Sequence, residues 1–211
     1  MSTTTITASA NKQKTVEIAA NLWQITNNLK GKVDAKTFSK YVLALFFFRF
    51  LSENLENYLN QQETGKDEGV KGLKVIFKKG FYICPSKFFS RILIKAKEEP
   101  FLLLSYRFNL VNLVRAIFNS PQDPNHSFGF YIFREKEAEF PELFREIHKG
   151  KNLKFEELGE TPQERSKKIF ETMEAINQIP ILDLVKKTYE SNIDEIIEIQ
   201  KEIEEVYKKG L

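Results

Sequence analysis

The pattern of apolar positions predicts two long helices at the start of the chain. Apolar residues recur every three or four positions along residues 12–29, which predicts the first helix. Gly31 is suited to ending it, and Asp34 is a suitable N-cap for a second helix over residues 35–61. Residues 1–11 are rich in Thr and Ser and are expected to be disordered.

The second helix is the most apolar part of the chain. Between residues 41 and 51 it is apolar on every side, a pattern typical of the central helix of a bundle. Arg49 lies inside this run, so it needs an acidic partner such as Glu53 to offset the cost of its burial.

Weaker patterns follow in the middle of the chain. Pro85 begins a predicted helix that extends to about residue 97, and two more helices are expected over residues 102–119 and 137–148. The segments between them read as a glycine-containing loop at 62–74, a turn cluster at 120–125, and short extended pieces at 80–85 and 127–133. Long alternating strands are absent from the sequence, which predicts an all-α, multi-helix bundle with at most one or two very short strands.

The clearest local signal is a helix start at residue 161. Thr161 is the predicted N-cap, Pro162 takes the first helical position, and Glu164 completes a capping box. The helix is expected to run to about residue 178 and to stop before Pro180.

The last segment, residues 181–211, carries a heptad pattern and is predicted to form a long C-terminal helix. Its apolar seam contains one polar position, Asn192, as expected of a residue that sets register. The seam either packs on its own domain or pairs with another chain, and the sequence leaves both alternatives open. Its positions are Leu182, Val185, Tyr189, Asn192, Ile196, Ile199, Ile203 and Val206.

The charge distribution adds a second feature to the first two helices. The formal net charge is only +3, but residues 12–49 carry seven Lys or Arg against two acids, whereas residues 182–211 carry five Lys against eight acids. A basic front fits contact with a polyanion. The lysines around the first turn are the candidates for phosphate contact, although a single lysine on a helix more often serves only to keep the helix surface solvated. They are Lys30, Lys32, Lys36 and Lys40.

Catalytic chemistry is hard to find in the sequence. The two histidines and the single cysteine have no metal-ligand spacing, so no metal site is expected. Phosphate-binding glycine loops and nucleophile motifs are also absent from the sequence. The longest apolar run is too short to cross a bilayer, and the N-terminus lacks a signal peptide, which predicts a cytoplasmic protein without a membrane partner.

Three sequence blocks resemble the N-terminal helical domain of the modification (M) subunit of type I restriction–modification systems, which are DNA adenine-N6 methyltransferases. The blocks are residues 22–53, residues 80–90, and residues 158–165. The resemblance extends over about residues 12–178, so residues 12–180 are predicted to form that helical domain and residues 181–211 an appended helix.

The resemblance does not carry over a catalytic site. Full-length family members use S-adenosylmethionine, held by an Asp-Pro-x-x-Gly-x-Gly loop, and hold a flipped adenine in an Asn-Pro-Pro-aromatic loop. Neither motif occurs here, so no catalytic or cofactor-binding residue is assigned and no activity is expected from this chain alone.

Two functional hypotheses follow. The first is a non-catalytic domain, truncated or standalone, that contacts double-stranded DNA and assembles with the specificity subunit and a second modification subunit. The alternative is a helical protein–protein interaction module that has lost DNA binding. In both, the C-terminal seam is a candidate partner interface and a route to a homo-oligomer.

Overall fold

The computed structural model describes residues 3–61, 81–83, 85, 88–98, 130–132, 158–188 and 193–209, and every structural statement below concerns these residues. Within them the chain forms six helices and two three-residue strands. The all-α class predicted from the sequence is therefore confirmed. The helices predicted at 102–119 and 137–148, the loop at 62–74 and the turn cluster at 120–125 lie outside the described residues.

The first two helices meet at a tight turn. Helix α1 covers Thr3–Leu29 and helix α2 covers Ala35–Gln61. Gly31 has a φ of +60°, a conformation that suits a residue without a Cβ. The Asp34 carboxylate accepts a hydrogen bond from the Lys36 backbone N–H at 3.0 Å, which confirms the predicted N-cap.

The start of α1 corrects one expectation. The sequence predicts disorder over residues 1–11, but the helix begins at Thr3. Once a helix has been nucleated, each further residue adds a backbone hydrogen bond at small cost, so a polar segment can continue a helix that packing stabilises downstream.

Helix α2 is the central helix, as its sequence predicts. It contacts α1, the later helices and the first strand, and its phenyl rings are buried almost completely. Burial of each such ring removes much apolar surface from water and contributes roughly 2–3 kcal/mol before conformational costs. The buried aromatic and aliphatic residues of α2 are Phe38, Tyr41, Val42, Leu45, Phe46, Phe47, Phe48, Phe50, Leu51, Leu55 and Tyr58.

A short two-stranded ribbon and a third helix flank α2. Strand β1 (Phe81–Ile83) pairs antiparallel with strand β2 (Phe130–Ile132), in the two regions where the sequence predicts extended pieces. Helix α3 covers Phe89–Glu98, so it begins four residues after the predicted start at Pro85. The Phe89 backbone N–H donates to Ser52 Oγ at 2.6 Å, which ties the start of α3 to α2.

Helix α4 covers Pro162–Asn177 and begins with the predicted capping box. The Glu164 backbone N–H donates to Thr161 Oγ1 at 3.2 Å, and the Glu164 carboxylate accepts from the Thr161 N–H at 3.2 Å. Two orphan N–H groups of the first turn are thereby satisfied by local side chains, so the sequence alone fixes where α4 begins.

Arg49 joins α2 to the end of α4. Its side chain is only about a tenth exposed (8%). Its Nε donates to Glu53 Oε1 at 2.5 Å, and its Nη1 donates to the Ile176 and Ile179 carbonyls at 2.5 and 2.9 Å. The partner predicted from the sequence is confirmed, and the guanidinium also neutralises the carbonyl end of α4.

The C-terminal segment is described as helix α5, Leu182–Thr188, and helix α6, Ile193–Lys209, with residues 189–192 outside the described residues. Helix α6 makes the most extensive contact between two helices, and its partner is α1. The first and last helices thus share one core. The domain boundary proposed at residue 180 stays a prediction.

Across the part of the chain that the structure describes, helices long and apolar enough to cross a membrane are absent.

Candidate nucleic-acid interface

The four lysines singled out from the sequence lie at one end of the bundle, around the turn between α1 and α2. Lys32 projects from the turn with its side chain 97% exposed. Lys36 and Lys40 are exposed one helical turn apart at the start of α2, and Lys30 is half-buried. Because residues four apart lie on the same face of a helix, Lys36 and Lys40 present their charges in one direction.

Helix α4 adds a cation to this end of the bundle. Lys168 Nζ donates to the Leu29 carbonyl at 2.6 Å and lies close to Gly31, where an added Cβ would be 3.3 Å from it. The end of α1 carries partial negative charge from its unsatisfied carbonyls. Lys168 offsets that charge, so the end of α1 repels an approaching phosphate less strongly.

The loop before α4 closes against the same turn. Glu160 lies 3.9 Å from the Lys32 ammonium, and both side chains are strongly exposed. Arg165 holds the loop by donating to the Gly159 and Glu160 carbonyls at 2.8 and 2.9 Å. The loop packs tightly at Gly159, where a Cβ would come within 2.7 Å of the Glu164 side chain.

Hydrogen bonds from two backbone N–H groups, those of Thr161 and then Glu160, lower the pKa of the Glu164 carboxyl. The carboxyl group is therefore an anion whose hydrogen bonds belong to the capping box. Its role is to cap helix α4, which does not suit an acid–base group.

The end of α6 reaches the same region, which the sequence did not indicate. Tyr207 is buried, its hydroxyl hydrogen-bonds to Thr26 Oγ1, and its ring meets the Trp23 ring edge-on with centroids 6.1 Å apart. Burial raises the pKa of Tyr207 to about 12, so it is a neutral hydrogen-bonding group at physiological pH. The next two residues, Lys208 and Lys209, are exposed and directly follow this residue that packs on the last turns of α1, and the Lys208 ammonium lies 2.7 Å from Glu204.

We call this assembly the basic end. It contains Lys30, Lys32, Lys36, Lys40, Lys168, Lys208 and Lys209. Sequence reasoning missed the last three because they are far from the turn along the chain. The only available signal was that Lys208 and Lys209 occupy the last turn of a helix, and it said nothing about their neighbours.

The candidate partner interface is largely occupied by the protein itself. Val185, Ile196 and Ile203 are fully buried, and Ile199 and Val206 are half-buried against the core. Leu182 differs, since it is 54% exposed. At the described seam positions the structure realises packing within the domain, one of the two alternatives left by the sequence. Tyr189 and Asn192 lie outside the described residues.

Among the described residues, groups of three or more His, Cys, Asp or Glu that could hold a metal ion are absent. The only cysteine and both histidines, Cys84, His126 and His148, fall outside those residues.

Residues 18–202 match the family model of the HsdM N-terminal domain. The chain belongs to this family. The resemblance inferred from the three sequence blocks is thus confirmed. As an HsdM N-terminal domain, the chain is similar to the type I restriction enzyme MpnII methylase subunit of Mycoplasma pneumoniae, with 28% identity over 188 residues. That alignment covers 82% of this chain and 32% of the relative, so the chain spans about a third of the relative's length. No solved structure matches.

The three blocks that resemble the HsdM N-terminal domain converge in space around α2. The first and third blocks meet at the basic end, where Lys32 faces Glu160. The second meets the first further along α2, where the Phe48 and Phe89 rings lie 5.8 Å apart. The family pattern therefore follows the contacts that join α2 to its neighbours.

Proposed function

We propose that this chain contacts double-stranded DNA through the basic end and assembles with other subunits of a type I restriction–modification methylase, without transferring a methyl group itself. The observation that carries the DNA-contacting role is the convergence of lysines from the α1–α2 turn, α2, α4 and α6 at one end of the fold. Phosphate contacts from lysines supply affinity without reading sequence, which suits a domain that helps hold a duplex.

The distribution of fixed charge supports this role. Two acids near the basic end cap helices, Asp34 at α2 and Glu164 at α4. Two others pair with lysines of the basic end itself: Glu204 lies 2.7 Å from Lys208 and Glu160 lies 3.9 Å from Lys32. Lys36 and Lys40 are exposed on one face of α2. These two lysines are therefore the best-placed pair for phosphate contact.

The assembly role follows from the family. The relative is by name a subunit of a restriction enzyme, and about two thirds of its length has no counterpart in this chain. We propose that the partners are a specificity subunit and a second modification subunit, and that the complex is cytoplasmic. Among the described positions of the C-terminal seam, Leu182 is the most exposed; it lies beside the Lys14–Asp183 ion pair and is the candidate for such contact.

Methyl transfer from S-adenosylmethionine belongs, on this proposal, to the full-length proteins of the family. The sequence of this chain contains neither of the two motifs that would hold the methyl donor and the target base. We therefore assign no catalytic and no cofactor-binding residue, and we derive no step through that cofactor.

A salt titration of duplex binding tests the DNA-contacting role. The logarithm of the association constant is expected to fall linearly with the logarithm of salt concentration, by about 0.9 for each phosphate neutralised. The double variant K36A/K40A should therefore reduce the slope by about 2. The matched control K95A/K186A removes two exposed lysines from α3 and α5 and should leave the slope unchanged.

Two results would overturn the proposal. One is duplex binding at low salt no tighter than that of an equally charged helical protein. The other is an equal loss of slope in K36A/K40A and K95A/K186A. That result would mean that binding depends on the total charge of the protein and not on where its lysines lie.

The alternative function, a protein interaction module without DNA binding, predicts the first of these results together with co-elution of the chain with a specificity subunit. Substitution of Leu182 by Asp should weaken that co-elution if the exposed end of the seam contributes to assembly. It should leave the DNA salt slope intact.

A further inference from the structure

In the part of the chain that the structure describes, the turn between α1 and α2 offers two unused backbone donors. A glycine in the left-handed region just after a helix commonly returns its own N–H, or the next one, to the last carbonyls of that helix. Gly31 has this conformation, with a φ of +60°. Among the described residues, however, neither the Gly31 N–H nor the Lys32 N–H donates a hydrogen bond. Both residues are exposed, so both donors can reach a ligand.

The backbone hydrogen bonds that hold the turn lie on either side of these donors. The Lys30 N–H donates to the Thr26 carbonyl at 3.1 Å, and the Val33 N–H donates to the Lys30 carbonyl at 3.0 Å. They fix the turn while leaving the consecutive N–H groups of residues 31 and 32 open. Successive N–H groups in a turn form a concavity that binds anions.

Lys168 places an ammonium group beside the same turn. Its Nζ donates to the Leu29 carbonyl at 2.6 Å, and a Cβ added at Gly31 would lie 3.3 Å from that Nζ. Since the Cβ and the backbone N are each one bond from the Cα, the Lys168 Nζ and the Gly31 N lie within about 6 Å of each other. An ammonium group has further donors besides the one that Leu29 uses. One phosphate group can therefore accept from the ammonium and from the turn together.

The glycine provides space as well as conformation. Because Gly31 has no side chain, the position beside the Lys168 ammonium that a Cβ would fill stays open. Capping of α1 accounts for the bond from Lys168 to Leu29. It does not account for the open position or for the two N–H groups next to it, which a ligand with several acceptor oxygens explains.

Cations outnumber carboxylates around the turn. Asp34 and Glu164 each cap a helix, and Glu160 lies 3.9 Å from the Lys32 ammonium. This last contact joins two strongly exposed side chains, so an arriving phosphate displaces it at little cost. The cations are Lys30, Lys32, Lys36, Arg165 and Lys168.

We infer that the α1–α2 turn binds one phosphate group through the Gly31 and Lys32 N–H groups and the Lys168 ammonium. We call this site the phosphate turn. The inference rests on the proposed DNA contact, in which the phosphate belongs to the backbone of the duplex; a free phosphate ion presents the same oxygens. Backbone N–H groups contact phosphates without reading bases, so the phosphate turn positions the duplex and carries no sequence information.

Amide NMR spectra of the isotope-labelled full chain test the phosphate turn directly. The Gly31 and Lys32 amide protons should move downfield when duplex DNA is added, because each becomes a donor to a phosphate oxygen. Inorganic phosphate, added at constant ionic strength, should move the same two resonances with weaker affinity, since a duplex also contacts the other lysines of the basic end. The Asn60 amide lies near the far end of α2, roughly 40 Å along the helix from its start, and should not move.

Two neighbouring lysines of α4 provide the variants. K168M removes the ammonium but keeps an apolar stem, so it should abolish the shift with inorganic phosphate and reduce the DNA salt slope by about 0.9, the effect of one phosphate contact. The matched control K167M removes the adjacent lysine, which is 75% exposed and lies 3.8 Å from Glu171, and it should leave both quantities unchanged. The spectra of the parent protein decide the question even if K168M is too unstable to assay.

The possible outcomes separate the phosphate turn from the proposed function. Duplex binding with a normal salt slope, but without movement of the Gly31 and Lys32 amides, would overturn the phosphate turn and leave the DNA-contacting role intact. An equal effect of K167M and K168M would also count against it. Movement with inorganic phosphate in the absence of duplex binding would support the phosphate turn and refute the DNA-contacting role. Resonances that move with neither ligand would refute the phosphate turn whatever the salt titration shows.

Discussion

Substitution of Arg49 by Met should destabilise the fold more than any surface substitution. Methionine retains the apolar stem and similar length, so it removes the guanidinium with little change in packing volume. The Ile176 and Ile179 carbonyls then lose the donor that satisfies them, and Glu53 loses its cation. Those carbonyls belong to the end of α4, so the substitution acts on the contact between α2 and α4.

The magnitude follows from the burial of the site. Removal of one partner from a buried charge pair costs about 3–5 kcal/mol, because the other groups remain desolvated and unpaired. A domain of this kind has a free energy of unfolding of about 5–15 kcal/mol. R49M is therefore expected to lose a large part of its stability. R49K keeps the charge but cannot reproduce the planar fork of the guanidinium. Its free energy of unfolding should therefore fall between those of the parent protein and R49M.

Urea denaturation followed by circular dichroism measures the effect, as a lower midpoint with an unchanged m-value. The matched control is K201A, which breaks an exposed pair with Glu198 at 2.8 Å and should cost less than about 0.5 kcal/mol. A double variant, R49M/E53L, should recover only part of the loss, because the two carbonyls stay unsatisfied. A cost below about 1 kcal/mol for R49M would refute the assignment of Arg49 as the clamp between α2 and α4.

Two further predictions concern the helix ends. Burial raises the pKa of Tyr207 to about 12 against an ordinary value of 10.0, so the stability that it contributes is complete below pH 10 and is lost as pH rises from 10 to 12, by roughly 3 kcal/mol in all. Ultraviolet difference titration should show a late-ionising phase that Y207F lacks. The same late phase in Y207F as in the parent protein would contradict the assignment to Tyr207. Thr161→Ala removes the side-chain acceptor for the Glu164 N–H and should lower the free energy of unfolding by about 1 kcal/mol, against no change for Gln163→Ala in the same turn.

Local patterns in the sequence predicted the features that depend on neighbouring residues. The capping box at Thr161, the N-cap at Asp34 and the ends of α2 need only residues within one helical turn, so they can be inferred without knowing the fold. The central position of α2 was also predictable, because a helix apolar on every side cannot be stable with one face in water.

The start of α1 and the seam of the last helices were harder to predict. A Thr-rich segment has no strong signal of its own, so its helical state depends on the helix that it extends. A heptad seam shows that an apolar stripe must be buried, but the pattern is the same whether the covering helix belongs to the same chain or to another. Only the structure, in which α6 packs on α1, showed that the covering helix belongs to the same chain at the described positions.

For the candidate DNA interface, the sequence determined the four lysines of the first turn, the absence of catalytic motifs and the family. Tertiary structure decided that Lys168 caps α1 and that Tyr207, which directly precedes Lys208 and Lys209, packs on the last turns of α1. The physical reason is one of range. Capping and helical periodicity act over a few residues and are written in local sequence, whereas a charged surface is the sum of side chains that only long-range packing brings together.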